Sequence, residues 1–373
     1  MPELVALDLP GGAQFVEALQ RTWDAGDAVL PIDQRLPPGA SAAMVRAMGA
    51  SQVIDRSGTS RLTEGVPTAP GDALVMATSG STGEPKGVVL THEAVAASAR
   101  ATSRRLGVAA GDHWLACLPL AHVGGLSVVT RALLTGTALT VLPRFDAAEV
   151  TVAAQAGATL TSLVATALGR IDPSLFRCIV LGGSRPPADL PPNAVTTYGM
   201  TETGSGVVYD GVPLDDVEIE IATDGEILIR CPMMLRAYRN GSTPIDRDGW
   251  LHTGDLGRWL ADGRLHVDGR SGDLIITGGE NVWPEVVEAA ILDHPQVADA
   301  GVAGVDDAEW GQSVTAWVVS ADPAQPPSLD AIRAHVRRTL PPFMAPRALH
   351  IVDVLPRTNL GKLRRTMLHP PRP

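Results

Sequence analysis

The chain has 373 residues, 45% of them hydrophobic, with 30 Lys and Arg against 41 Asp and Glu for a formal charge of −11. That length predicts two or three domains rather than one core, and the negative balance argues against nucleic acid as a partner. The opening residues lack a secretory signal and no uncharged apolar run approaches the roughly 20 residues that span a bilayer, so a soluble, cytoplasmic chain without membrane insertion is expected.

In chain order, the apolar run at 73–78 reads as a buried strand. The loop "TSGSTGEPKG" follows, and then a helix over 91–107 with Thr91 as N-cap and a glycine stop. "HWLACLPL" and "ALTVLP" read as strands, 146–157 as a helix capped by Asp146, and "TLTSLVAT" and "RCIVLGG" as strands again. This alternation implies a mostly parallel sheet covered by helices. From about residue 215 two Asp-Gly pairs sit between alternating runs, the signature of a small antiparallel section. Beyond "GRSGD" come a strand, the helix "PEVVEAAILDH", the strand "SVTAWVVSA", the helix "LDAIRAHVRRTL" and the strand "ALHIVDVL". These make a compact α+β unit of about a hundred residues. The fold class expected is therefore α/β: a large N-terminal domain of mixed sheets layered with helices, then a small α+β C-terminal domain. Cys117, Cys178 and Cys231 are scattered without metal-ligand spacing.

The glycine-rich loop fails two familiar phosphate-binding patterns. A Walker A loop ends in Gly-Lys-Ser/Thr, whereas here Pro85 precedes Lys86 and Gly87 follows it. No G-x-G-x-x-G opens a helix, which removes the dinucleotide fingerprint. What remains is an anion cradle: Gly80 and Gly83 free backbone N–H groups, Thr78, Ser79, Ser81 and Thr82 offer hydroxyls, and Lys86 neutralises charge. The alternative is a surface linker rich in Ser and Gly. A second clue is compositional, because the chain holds only two lysines, Lys86 and Lys362. Where arginine is so favoured, a retained lysine suggests a place that needs a slender point charge rather than a planar fork, with chance survival as the alternative. The two distant segments are therefore expected to share one site.

"TSGSTGEPKG", "YGMTET" (198–203), "WLHTGD" (250–255), "GRSGDLIITGGENVWPEVVE" (269–288) and "PRTNLGK" (356–362) resemble, in order, the motifs of the adenylate-forming superfamily. That superfamily includes acyl-CoA synthetases, luciferases and the adenylation domains of peptide synthetases. The resemblance covers the chain from residue 72 onward and implies ATP, Mg2+ and CoA as co-substrates and ion. It also implies that a carboxylate attacks the α-phosphorus to give an acyl-adenylate, which a thiol then attacks. By resemblance Thr78, Ser79, Gly80, Ser81, Thr82, Gly83 and Lys86 hold the β- and γ-phosphates. Thr201 would touch the α-phosphate, Glu202 would hold magnesium, and Asp255 with Arg270 would bind the ribose. Gly183 and Ser184 with Thr197 and Tyr198 would wall the adenine. Lys362 would bridge the substrate carboxylate and the α-phosphate. Domains of 1–271 and 272–373 follow, with a hinge at Gly272 about which a mobile C-terminal domain swings, and Gly278 and Gly279 then line the thiol tunnel. Glu202 as a surface acid, Asp255 as a turn former, Tyr198 as a packed aromatic and Gly278–Gly279 as a plain turn are the alternatives, while His252 and His266 are read as structural. Superfamily members carry a longer segment before the phosphate loop, so the N-terminal subdomain is expected to be abbreviated.

The stretch "LPLAHVGGLSVVTRALLTGT" (118–137) is similar to that of o-succinylbenzoate–CoA ligases, although Gly124 stands where those enzymes commonly have serine. Those ligases serve menaquinone biosynthesis and act on an acid that keeps a second carboxylate. His122 and Arg131 are candidate cations for that dianion, with Ser184 and Ser205 as further lining residues. A structural histidine and a solvated helix arginine are the alternatives. Another aryl- or acyl-CoA ligase is the runner-up. An amino-acid-activating module would need an Asp soon after "LPLAHVGG", and none occurs through Leu142. A non-catalytic nucleotide binder would have no use for both lysines and Glu202. The small-molecule acid, ATP and CoA are the partners expected, and the oligomeric state is left open, a homodimer included.

Overall fold

The computed structural model describes all residues except 80–84, 184, 185, 188, 358–362 and 370–373. The chain divides into two compact units. The first comprises Met1–Glu220, Leu228–Thr253 and Trp259–Leu265, and the second Ile221–Ile227, Gly254–Arg258 and His266–Pro373.

Two seven-stranded sheets build the first unit. One runs, in spatial order, Ala237–Tyr238, Pro85–Thr91, Asp72–Ser79, Ala28–Pro31, Leu4–Asp8, Gln52–Asp55 and Gly58–Arg61. The other runs Val212–Pro213, Ser205–Tyr209, Ala194–Met200, Cys178–Leu181, Leu160–Leu163, His113–Ala116 and Ala138–Val141. Both sheets are mixed, as the expected fold class has it. The first has a parallel centre with antiparallel strands such as Pro85–Thr91 toward both edges, and the second is parallel except for Ser205–Tyr209 and Val212–Pro213 at one edge. The physical reason is the short connections, since a tight turn can only return a strand antiparallel. The helices are α1 (Ala13–Asp24), α2 (Pro38–Ala47), α3 (His92–Arg105), α4 (Val123–Thr135), α5 (Ala147–Gln155) and α6 (Ala165–Leu168). Thr91 and Asp146 cap α3 and α5 as read from the sequence, through bonds to Ala94 N and to Ala148 N and Glu149 N. Gly136, with φ 67°, ends α4. The first 71 residues fold into three parallel strands, the antiparallel strand Gly58–Arg61 and two helices, extending the sheet of Asp72–Ser79.

The two Asp-Gly pairs, 224–225 and 262–263, fall between neighbouring strands of a four-stranded sheet ordered Glu218–Ile221, Glu226–Arg230, Leu251–Trp259 and Leu265–Arg270. In the second unit, Val297–Asp307 and Gly311–Ser320 form a long antiparallel pair. Ile275–Thr277 and Ala348–Ile351 flank Gly311–Ser320, and Glu280–Val282 completes the sheet. Helices α7 (Pro284–Leu292) and α8 (Leu329–Val336) bury Val287, Ile291, Ile332 and Val336 in one core with Val302, Val314 and Val318. The three cysteines are free and buried, and burial pushes the Cys117 and Cys231 thiols up to about 11, which removes them as nucleophiles. Among the described residues no helix is long and apolar enough to cross a membrane.

Candidate active site

The glycine-rich segment joins two strands that pair in antiparallel register, with Thr78 opposite Lys86 and Ser79 opposite Pro85. Thr78 Oγ1 donates to the Lys86 carbonyl at 3.3 Å, so the base of the loop is held as a hairpin. Gly80, Ser81, Thr82 and Gly83 lie outside the described residues, as do Ser184 and Lys362. Between the loop and α3 the chain runs as a strand, and Gly87 in it has no room for a side chain. A Cβ there would meet Met48 Sδ at 2.7 Å, Arg239 Cβ at 2.9 Å and Val75 Cγ1 at 3.0 Å. The residue that breaks the Walker pattern is thus also a packing requirement.

The Lys86 ammonium lies 5.0 Å from the centroid of the Tyr238 ring, and the Tyr238 hydroxyl donates to Glu202 Oε1 at 2.9 Å. Two distant sequence motifs therefore meet across one tyrosine, which the sequence reading missed. The chain has only three tyrosines, so the scarcity that singled out lysine would also have singled out Tyr238. Its strand is fixed by pairing to Pro85–Thr91, with Tyr238 opposite Val88. Next to it Arg236 makes a bidentate bridge to the buried carboxylate of Asp72, at 2.8 and 2.9 Å. Glu202 and Thr201 sit in the 3-10 turn Thr201–Thr203 that follows strand Ala194–Met200. Thr203 Oγ1 accepts from Met200 N at 3.0 Å and donates to the Ser205 carbonyl at 2.8 Å, which locks that turn. Glu202 offers a hard carboxylate oxygen. Among the described residues no cluster of three or more His, Cys, Asp or Glu could hold a metal, so a magnesium ion here would take most of its ligands from phosphate and water, as that ion commonly does.

At the carboxyl ends of parallel strands Cys178–Leu181 and Ala194–Met200, Gly182 packs on Thr197, whose Oγ1 lies 2.7 Å from where a Cβ would stand. Gly183 follows with φ 87°. Gly183, Thr197 and Tyr198 thus share one sheet edge, the usual place for a ligand in open α/β sheets. Ser205 is buried with its Oγ 2.7 Å from Ser98 Oγ of α3. A small cavity beside this pair is lined by Ser98, Ser127, Thr130 and Gly204 together with Leu74, Met76 and other apolar side chains.

His122 and Arg131 are held by different partners. His122 precedes α4, and its Nε2 lies 2.9 Å from Arg35 Nη2 and 3.5 Å from Asp33 Oδ2. Arg131 is 2% exposed and stacks 4.8 Å from the Trp114 ring. It is no solvated helix charge: burial pushes its guanidinium below the ordinary pKa, and Nε and Nη1 have no hydrogen-bond partner among the described residues.

In the second unit, Asp255 is 6% exposed and pairs with Arg270 Nε at 2.7 Å. Gly278 and Gly279, with φ 59° and 84°, form a two-residue turn between Ile275–Thr277 and Glu280–Val282. Gly278 N donates to the Trp310 carbonyl at 2.8 Å, and a Cβ on Gly278 would meet the Trp310 ring at 2.8 Å.

The fold agrees with what comparison finds. The profile of the AMP-binding enzyme family matches residues 55–239, and that of the AMP-binding enzyme C-terminal domain matches 286–362. The chain belongs to this family of adenylate-forming enzymes. It is 42% identical over 321 residues to the probable 2-succinylbenzoate–CoA ligase of Mycobacterium tuberculosis, covering 79% of this chain and 83% of that protein. It is 37% identical to the 2-succinylbenzoate–CoA ligase of Bacillus licheniformis, over 79% of this chain and 69% of that one. Among solved structures, o-succinylbenzoate CoA synthetase of Bacillus subtilis with its acyl-adenylate intermediate superposes with a TM-score of 0.88 at 29% identity, covering 99% and 88% of the two chains. The same enzyme with ATP and magnesium gives 0.86 at 29%, covering 98% and 89%.

Proposed function

We propose that this chain is an ATP-dependent, AMP-forming 2-succinylbenzoate–CoA ligase of the cytoplasm, acting in menaquinone biosynthesis. The observation that carries the adenylating part is the Lys86–Tyr238–Glu202 contact, which sets a cation and a carboxylate at the base of the glycine-rich hairpin. Two anions must meet in the first step, so catalysis is mainly charge neutralisation and positioning. Lys86 neutralises the departing pyrophosphate, and Glu202 would hold a magnesium ion, whose charge would offset that of the phosphates. Thr201 hydrogen-bonds the α-phosphate, Asp255 and Arg270 the ribose, and Lys362 draws carboxylate and α-phosphate together. The carboxylate oxygen attacks phosphorus and pyrophosphate leaves. The CoA thiol then attacks the acyl carbon and AMP leaves. Domains 1–271 and 272–373, turning about Gly272, present Lys362 for the first step and Gly278–Gly279 for the second.

The substrate reading rests on the stretch 118–137 and on the names of the relatives. Its test is AMP and thioester formation with CoA and a panel of 2-succinylbenzoate, benzoates, fatty acids and amino acids. The kcat/KM for 2-succinylbenzoate should exceed each of the others by roughly 100-fold. A benzoate or a fatty acid turned over as well would replace this reading with another acyl-CoA ligase.

A further inference from the structure

Arg365 stands three residues beyond Lys362 and takes no part in the roles given above. Its side chain is 11% exposed and meets three carboxylates. Nη1 donates to Asp273 Oδ2 at 3.0 Å, while Nη2 lies 2.8 Å from Glu285 Oε1 and 2.8 Å from Glu288 Oε2. Asp273 closes the 3-10 turn Ser271–Asp273, which contains Gly272. Glu285 and Glu288 stand three apart on one face of α7, and Glu288 Oε1 accepts from Val302 N at 2.9 Å. One guanidinium fork thus joins the Gly272 turn, α7 and, through Glu288, the strand Val297–Asp307. A lysine ammonium has no comparable planar array of donors.

The chain around Lys362 is pinned on both sides. Arg357 and Leu363 form an antiparallel bridge, and Arg364 N donates to the Pro356 carbonyl at 2.8 Å. Arg357 pairs with Asp299 at 2.6 Å, and Leu363 packs with Trp317, Leu355 and Leu368. Through Asp273, the Arg365 cluster links the segment downstream of residue 362 to the Gly272 turn. Without its cation, that cluster would leave three acids facing one another in a poorly hydrated place, and they would repel.

We infer that Arg365 is a positioning residue for the first half-reaction: it fastens the segment just downstream of Lys362 to the Gly272 turn. This rests on the adenylation reading above. The full-length chain is assayed for its two half-reactions apart, acid-dependent pyrophosphate–ATP exchange and transfer from pre-formed acyl-adenylate to CoA. Arg365→Ala should lower the exchange kcat roughly 100-fold, leave the KM for ATP within about threefold and leave transfer within about threefold. Arg365→Lys should recover part of that loss. Asp273→Asn removes only the link to the turn and should cost about tenfold in exchange alone. Should Arg365→Ala not fold, by thermal melt, Asp273→Asn decides. Equal falls in both half-reactions, or unchanged exchange, would overturn the inference. A wild-type chain inactive in exchange with every acid sinks the adenylation reading and the inference with it, whereas exchange with a different acid changes only the substrate.

Discussion

The two lysines and the three tyrosines carry more information than their number suggests, because each survives in a chain that otherwise avoids its type. Lys86 stacks on Tyr238, and the same phenol holds Glu202. A hydrogen bond to a carboxylate contributes about 1.5–3 kcal/mol. Tyr238→Phe keeps the ring and removes that bond, so the magnesium-dependent exchange rate should fall about tenfold. The melting temperature should hardly move, and an unchanged rate would show that Glu202 needs no such support. Lys362→Ala should abolish exchange. Lys362→Arg should fail as well, because the wide fork does not replace a slender ammonium between two anions. Exchange retained by the arginine variant would refute the argument from lysine scarcity.

At the level of elements, the strand after the glycine-rich loop is held closely on both sides. Gly87→Ser restores the Walker residue but forces an atom against Met48, Arg239 and Val75, so it should destabilise the fold by about 1–3 kcal/mol in denaturant melts. It should bring no gain in magnesium affinity. The strand His113–Ala116 begins beside the buried Asp112, which accepts from Arg177, Ala109 N and Thr159. Burial opposes its ionisation, yet those hydrogen bonds outweigh burial and hold the carboxyl below its usual range. A depressed folded pKa adds stability that is present above the unfolded value of about 4 and is lost as pH falls through the folded one. The stability advantage of wild type over Asp112→Asn should therefore be full near pH 6 and shrink as the pH drops below about 4. A constant difference in melts across that range would contradict it.

For the whole molecule, the proposed two-step chemistry demands that different residues reach the adenylate in turn, and Gly272 is the position proposed above for that change. Proline fixes φ near −65° and removes a backbone donor. Gly272→Pro should thus retain pyrophosphate exchange while slowing transfer to CoA by about tenfold or more. Equal effects on the two half-reactions would move the pivot elsewhere.

The alternating apolar runs, the caps at Thr91 and Asp146, the Asp-Gly turns and the order of five motifs were legible because each depends on near neighbours along the chain. Local propensity and turn chemistry decide such features before any packing occurs. The strand Val297–Asp307, the folding of the first 71 residues into the sheet of Asp72–Ser79, and the burial of Arg131 against Trp114 depend on partners far away in sequence. So does the meeting of Lys86 with Glu202 across Tyr238, and of Arg365 with three acids. By itself the sequence determined the kind of chemistry, through residues whose type and spacing suit phosphate and carboxylate. Only the tertiary structure decided which side chains hold those residues in place, because charge pairing and steric fit act through space between segments that the chain order keeps apart.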